Sequence, residues 1–185
     1  GPAVLAYLNE RDAVVKQLGD RFKVQPSEIV DRVVALQEEL RASGKALASA
    51  EAELAVAKAG ALATKADVVG DFQLLVERLD GVDGAGLQGA AQSLADQLGD
   101  GAAVVLGGLP DPADLGKVIL VAAFGKEVVA AKLQAGKFIG AVAKLCGGGG
   151  GGRPNLAQAG GRDGAALSSA LDAAADQLRQ AFSGV

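Results

Sequence analysis

Residues 144–162 read KLCGGGGGGRPNLAQAGGR, and this stretch decides how the rest of the chain is read. Six consecutive glycines, Gly147 to Gly152, follow an apolar segment and precede a mixed tail, Arg153 to Gly161. Glycine has no Cβ, so successive glycines can adopt positive φ and turn several N–H groups toward one point. Such backbone nests bind anions. On glycine content alone a second reading is favoured, a helix C-cap followed by a flexible connector. The ordered tail favours a structured loop. Lys144, Arg153 and Arg162 flank it and could complete a phosphate site, while Asn155 and Gln158 could hydrogen-bond a sugar or a base edge. The stretch is not a Walker loop, because the Gly-Lys-Ser/Thr ending and the strand-loop-helix context are missing.

The charge distribution, taken by itself, reads first as charges scattered over a solvated face. The 185 residues carry a net −4, which by itself argues against a nucleic-acid partner. The basic residues Lys117, Lys126, Lys132, Lys137, Lys144, Arg153 and Arg162, however, share their third of the chain with one acid, Glu127. An acidic chain with one basic region can offer a local positive surface on an otherwise repelling body.

Composition limits the chemistry. There is no histidine, hence no Ser-His or Cys-His pair and no imidazole metal ligand. The single cysteine, Cys146, forms no intrachain disulfide, and with Lys144 nearby but no base it reads as an inert thiol. Carboxylate pairs such as Glu38-Glu39 lie on a helical pattern and read as solvated. We therefore expect no catalysis, no metal and no cofactor. No run of about 18 apolar residues is available to span a membrane. Half the chain is hydrophobic but only 3% is aromatic, so the core must be built from Ala, Val and Leu.

Periodicity gives an α+β fold. Gly1-Pro2 is set aside as the scar of a cleaved tag. A first helix is predicted from Ala3 to Leu18, stopped by Gly19-Asp20. A long second helix is predicted from Ser27 to about Ala66. Val33, Leu40, Leu47, Leu54 and Ala61 recur every seven residues along it, with Leu36, Ser43, Ala50 and Ala57 three residues after the first four, as in the seam of a coiled coil. The two helices read as an N-terminal helical hairpin, residues 1–65. Residues 66–185 read as a compact globular subdomain with a mixed sheet flanked by helices. Its strands are Val68-Val69, Phe72 to Val76, Ala102 to Leu106 and Val118 to Ala123. Its helices are Gly84 to Leu98 (capped by Asp83), Ala135 to Cys146, and Asp163 to Phe182. The expected order is β-β-α-β-β-α-loop-α.

Gly148 to Gly161 also resembles the hallmark Gly-Gly-x-Gly-Gly-x-Arg/Lys-Pro-Asp/Asn-x-Ala-Gln-x-Gly-Gly of a domain shared by alanyl-tRNA synthetases and certain Asp-His-His phosphoesterases. Leu133 to Gly136 ahead of it and the helix after it also resemble the family, and Leu87 to Leu98 resembles its first globular helix, so the resemblance covers about Ala66 to Val185. The heptad-bearing helix ahead of it resembles the helical subdomain that joins the editing domain to the C-terminal globular part in the synthetases. The glycine run is fuller than the family pattern, and Asn155 stands where Asp is common. The resemblance implies a non-catalytic, cytoplasmic ligase fragment, lacking the aminoacylation and editing domains, that binds the outer corner of tRNA and links charging to editing alongside the rest of the synthetase. On that reading Lys137, Lys144, Arg153 and Arg162 contact phosphates, Gly148, Gly149, Gly150, Gly151 and Gly152 offer N–H groups, and Asn155 and Gln158 add polar contacts. A homodimerisation or assembly module is the alternative, and a general nucleic-acid module, DNA included, a third.

Overall fold

The computed structural model describes residues 1–184 and divides into two compact units, Gly1–Leu47 and a second beginning at Ala48. In the first, α1 (Pro2–Phe22) runs past the expected stop at Gly19. Gly19 does not end the helix. It is the buried residue over which the chain turns back, accepting the N–H groups of Lys23 and Val24, with Lys23 left-handed at φ 56°. A Cβ at Gly19 would stand 3.0 Å from the Val24 carbonyl oxygen. A 3-10 turn, Pro26–Glu28, follows, in which the Glu28 carboxylate accepts the Gln25 N–H at 3.0 Å, and α2 (Ile29–Gly60) begins there.

The second half of α2 belongs to the globular unit, and its packing face is not the heptad seam. Ala55 and Ala59 are buried, whereas Leu40, Leu47 and Leu54 are 75%, 61% and 54% exposed. A helix can sit close to a neighbour only through small side chains. The Ala55 methyl lies beside Gly86, where an added Cβ would be 3.4 Å away.

The globular unit continues through a 3-10 turn (Ala61–Lys65), β1 (Asp67–Val69), β2 (Phe72–Arg78), α3 (Gly84–Leu98), β3 (Ala102–Gly108), β4 (Val118–Phe124), α4 (Lys126–Ala130), α5 (Ala135–Leu145), β5 (Gly149–Gly152), β6 (Leu156–Gly161) and α6 (Leu167–Ser183). The six strands form one mixed sheet ordered β1-β2-β3-β4-β6-β5. Only the β2/β3 pair is parallel, joined by the crossover through α3. Asp83 caps α3, accepting the Gly86 N–H at 2.7 Å.

Strand alternation distributes the core to two faces. Ala103, Val105, Leu120, Ala122, Ala157 and Ala159 pack with α5 and α6. Val104, Leu106, Val121 and Ala123 pack with α3 and the end of α2. Central β3 is covered on both sides, so every residue of Ala102–Gly108 is buried and its sequence is uninterruptedly apolar. Phe72 and Phe182 stack with ring centres 4.4 Å apart, two of the few aromatics used.

The expected α+β class is observed, with corrections to its elements: α4 is additional to the expected order, α6 begins at Leu167 rather than Asp163, and the stretch expected as a loop holds β5 and β6, paired antiparallel. Glycine is a poor strand former. It is required here by proximity. A Cβ on Gly152 would lie 2.7 Å from the Ala157 Cα, and one on Gly150 would overlap Ala159. From the other side, Cβ atoms on Gly136 and Gly140 of α5 would stand 2.7 Å and 2.9 Å from the carbonyl oxygens of Gly152 and Gly150. Helix and strand therefore meet backbone to backbone.

This gives a paired prediction. Gly140→Ala should lower stability by about 1–3 kcal/mol despite its helical setting, because the methyl overpacks a closed contact. Gly89→Ala, on α3 where an added Cβ meets nothing within 4 Å, should instead stabilise by about 0.5–1 kcal/mol. Thermal denaturation of both variants checks the pair.

Candidate nucleic-acid interface

The candidate site is the β5–β6 hairpin and its surroundings. Gly147, at φ 65°, turns the chain out of α5 and marks the helix stop. It alone among the six glycines has a positive φ, so Gly148 to Gly152 form no nest of converging N–H groups and the expected anion cradle is not built that way. The Gly148 N–H donates to the Ala143 carbonyl at 2.9 Å, and the chain then runs extended into β5.

The hairpin turn is fixed by its carbonyls. The Arg153 N–H donates to Leu156 O at 2.9 Å, Pro154 O accepts the Ala135 N–H at 2.8 Å, and Asn155 O accepts the Phe124 N–H at 2.8 Å. The turn thus caps the start of α5 and closes the end of β4 with main-chain groups, leaving the side chains of Arg153 and Asn155 exposed.

The sequence-predicted residues are gathered around the hairpin, but not into one pocket. Lys137 and Lys144 rim a groove of about 590 Å³ between α5 and Gly149 to Gly152. On the opposite face, Gly148, Gly149, Gln158 and Arg162 line a shallower trough of about 810 Å³, joined by Lys117. Arg153 lies at the turn, in a third depression with Gln88, Leu156 and Gln158. Asn155 is separated from these cations: it borders a cleft with Asp96, Asp100 and Lys126. Lys117 escaped the candidate set because only the β4/β6 register, Val118 opposite Gly161, brings it to the end of the sheet where Arg162 lies.

Among the described residues, four other cations of the globular unit are ion-paired, whereas Lys58 and Lys132 are not. Lys65 pairs with Glu77 (3.0 Å), Arg78 with Asp80 (2.9 Å), Lys126 with Asp100 (3.6 Å) and Arg179 with Asp67 (2.8 Å). Among the described residues, Lys117, Lys137, Lys144, Arg153 and Arg162 have no carboxylate within 4.0 Å. No acid lines the three hairpin grooves either. The nearest in sequence, Asp163, accepts the N–H groups of Ala165 and Ala166 at 3.1 and 3.2 Å.

Cys146 is fully buried beneath the hairpin, its carbonyl accepting the Arg162 and Asp163 N–H groups at 2.8 and 3.1 Å. Burial first, and the Asp163 charge second, push its thiol pKa up. The residue packs the hairpin base and is a poor thiolate.

An α+β domain whose sheet ends in a glycine hairpin ringed by unpaired cations is the class defined so far. The model of the DHHA1 domain matches residues 71–183. The chain belongs to the DHHA1 domain family, and its likeness is to the C-terminal part of alanyl-tRNA synthetases. It is 82% identical over 182 residues to the alanine–tRNA ligase of Synechococcus sp. (strain WH7803), and 85% identical over 182 residues to that of Parasynechococcus marenigrum (strain WH8102). In both cases the match covers 98% of this chain and 20% of the relative, so the chain spans about one fifth of the length of these ligases. Among solved structures it is similar to the C-Ala domain of the Aquifex aeolicus alanyl-tRNA synthetase. That likeness has 30% identity and a TM-score of 0.53, covering 64% of this chain and 97% of the other.

The buried thiol makes a prediction. A raised pKa favours the neutral thiol in the fold, so its stabilising share is full below the ordinary thiol pKa of 9.0 and is lost as pH rises beyond it. Native protein at pH 8 should react with a thiolate-directed reagent far more slowly than denatured protein, and alkylation should track unfolding as denaturant is added.

Proposed function

We propose that this chain is the tRNA-holding C-Ala module of an alanyl-tRNA synthetase, without chemistry of its own, acting in the cytoplasm beside the ligase's aminoacylation and editing domains. One observation carries the reading: five cations around the β5–β6 hairpin are unpaired, while those on the far side of the same sheet are neutralised. Partnerless cations at grooves without carboxylates suit a phosphodiester backbone, whose binding releases counterions. Lys137, Lys144, Arg153 and Arg162 contact phosphates. The Gly148 to Gly152 strand lets the backbone approach closely, and Gln158 adds polar contacts, while Asn155, expected to do the same, faces the cleft with Asp96 and Asp100.

Among the described residues no aromatic lines the three hairpin grooves, and nearby Phe138 is half-buried against Phe124 with ring centres 5.7 Å apart, so base stacking is a minor term. Recognition is by shape and phosphate, as at the outer corner of a folded tRNA. Holding a tRNA there raises its effective concentration at both charging and editing centres and so couples them.

The fragment should bind a tRNA-Ala transcript in a strongly salt-dependent way, with little discrimination against a non-cognate tRNA. Lys144→Ala combined with Arg153→Ala should weaken binding roughly tenfold at low salt. Filter binding or fluorescence anisotropy over a salt series checks this, and absence of binding by the wild type even at low salt would refute it.

A second reading is supported by the helices. Leu5, Leu8, Val30, Leu40 and Leu47 are all more than half exposed, apolar side chains available to pair chains. If the module also assembles the synthetase into homodimers, light scattering should give twice the monomer mass, and Leu40→Lys with Leu47→Lys should return it to monomer.

A further inference from the structure

The hairpin has two faces, and both carry cations. We infer that a folded RNA contacts both, and that Lys117 with Arg162 forms a second phosphate tract distinct from the Lys137/Lys144 tract along α5; the inference rests on the RNA-holding reading above.

The second tract is built where the α3 layer runs out. Helix α3 packs on the middle strands, and its first residue, Gly84, stands against Gln158, whose amide nitrogen would be 2.7 Å from a Cβ there. Beyond Gln158 the trough floor is Gly149 and Gly160, which have no side chain to fill it. Lys117 precedes Val118, Arg162 follows Gly161, and these two strand ends are paired, so both cations flank one end of the floor. Among the described residues no carboxylate lies within 4.0 Å of either cation; the neighbouring Asp163 accepts the Ala165 and Ala166 N–H groups, and Asp114 accepts the Gly116 N–H at 2.9 Å.

The sheet separates the two pairs of cations, so one phosphate cannot satisfy both. Two stretches of backbone are needed, which a folded RNA presents and a short single strand does not. The large apolar side chains that line the trough give a protein little to anchor on, since Val118 is buried and Ile119 half-buried. Its complementarity is electrostatic.

The test titrates the 185-residue chain with folded tRNA-Ala transcript across a salt series. The proteins are wild type, Lys117→Ala/Arg162→Ala, Lys137→Ala/Lys144→Ala, and the quadruple variant. All four positions are exposed, and circular dichroism confirms folding. Each double variant should weaken binding about tenfold near 100 mM salt and lower the slope of log K against log salt by about 1.4–1.8, and the quadruple should lose both contributions. A wild-type slope and affinity for Lys117→Ala/Arg162→Ala, alongside a loss for Lys137→Ala/Lys144→Ala, would overturn the second tract and leave the RNA-holding reading standing. No binding by wild type would overturn both. Displacement of tRNA by polyglutamate at equal charge concentration would overturn the commitment to RNA.

Discussion

The globular unit depends on one contact in which no side chain takes part: α5 against β5, and β5 against β6, at distances that exclude a Cβ. Gly136 and Gly140 stand one helical turn apart on α5, facing the carbonyls of Gly152 and Gly150. Weak Cα–H···O contacts are the attraction such an approach offers, each worth about 0.5–1 kcal/mol. The approach also brings Ile139 and Val142 of α5 onto Ala157 and Ala159 of β6, and that burial supplies the larger gain. The glycines permit the contact, and the aliphatic side chains around it stabilise it.

The same constraint shapes the surface. An edge strand usually projects side chains that guard it. Here the edge is main chain alone, so what surrounds it sets its character: lysines on α5, Arg153 at the turn, Lys117 and Arg162 at the strand ends. Main-chain groups hold the turn, which leaves Arg153 free of structural duty. On the far side of the sheet Arg78 and Arg179 are tied into ion pairs around β1, β2 and α6. Five of the globular unit's unpaired cations thereby gather at one end of its sheet, a distribution that can orient a polyanion as well as attract it.

Much of the fold was legible in the sequence, because most elements obey local rules. Asp83 before an apolar 3.6-residue pattern gave α3, uninterrupted aliphatic runs gave β3 and β4, and Gly70-Asp71 gave the first hairpin turn. The β5–β6 hairpin was not legible as strands. Its propensity is wrong for β structure, and only α5 overhead explains why. The seven-residue leucine pattern was equally clear, yet within the globular unit α2 packs through Ala55 and Ala59, because close approach to Gly86 needs methyl groups. At the site, Lys137 and Lys144 could be placed together from helical spacing. Lys117 required a strand register between residues more than forty positions apart, and Asn155 was turned toward Asp96 and Asp100 by a turn whose anchoring no local pattern records.

The thiol beneath the hairpin ties these observations together. Cys146 ends α5, and its carbonyl holds the first two residues after β6, so the helix that carries Lys137 and Lys144 and the strand end that carries Arg162 share one buried joint. A Cβ on Gly161 would stand 2.7 Å from the Cys146 Cβ, which makes glycine the fitting residue there too. The two cation pairs are therefore set relative to each other by the packing of one small side chain and one missing one. A rigid joint of this kind orders the surface before a ligand arrives, which lowers the ordering cost that flexible lysine-bearing loops would incur on binding. It also explains why a core poor in aromatics suffices: the residues that must keep their spacing are placed by main-chain hydrogen bonds and close backbone contact.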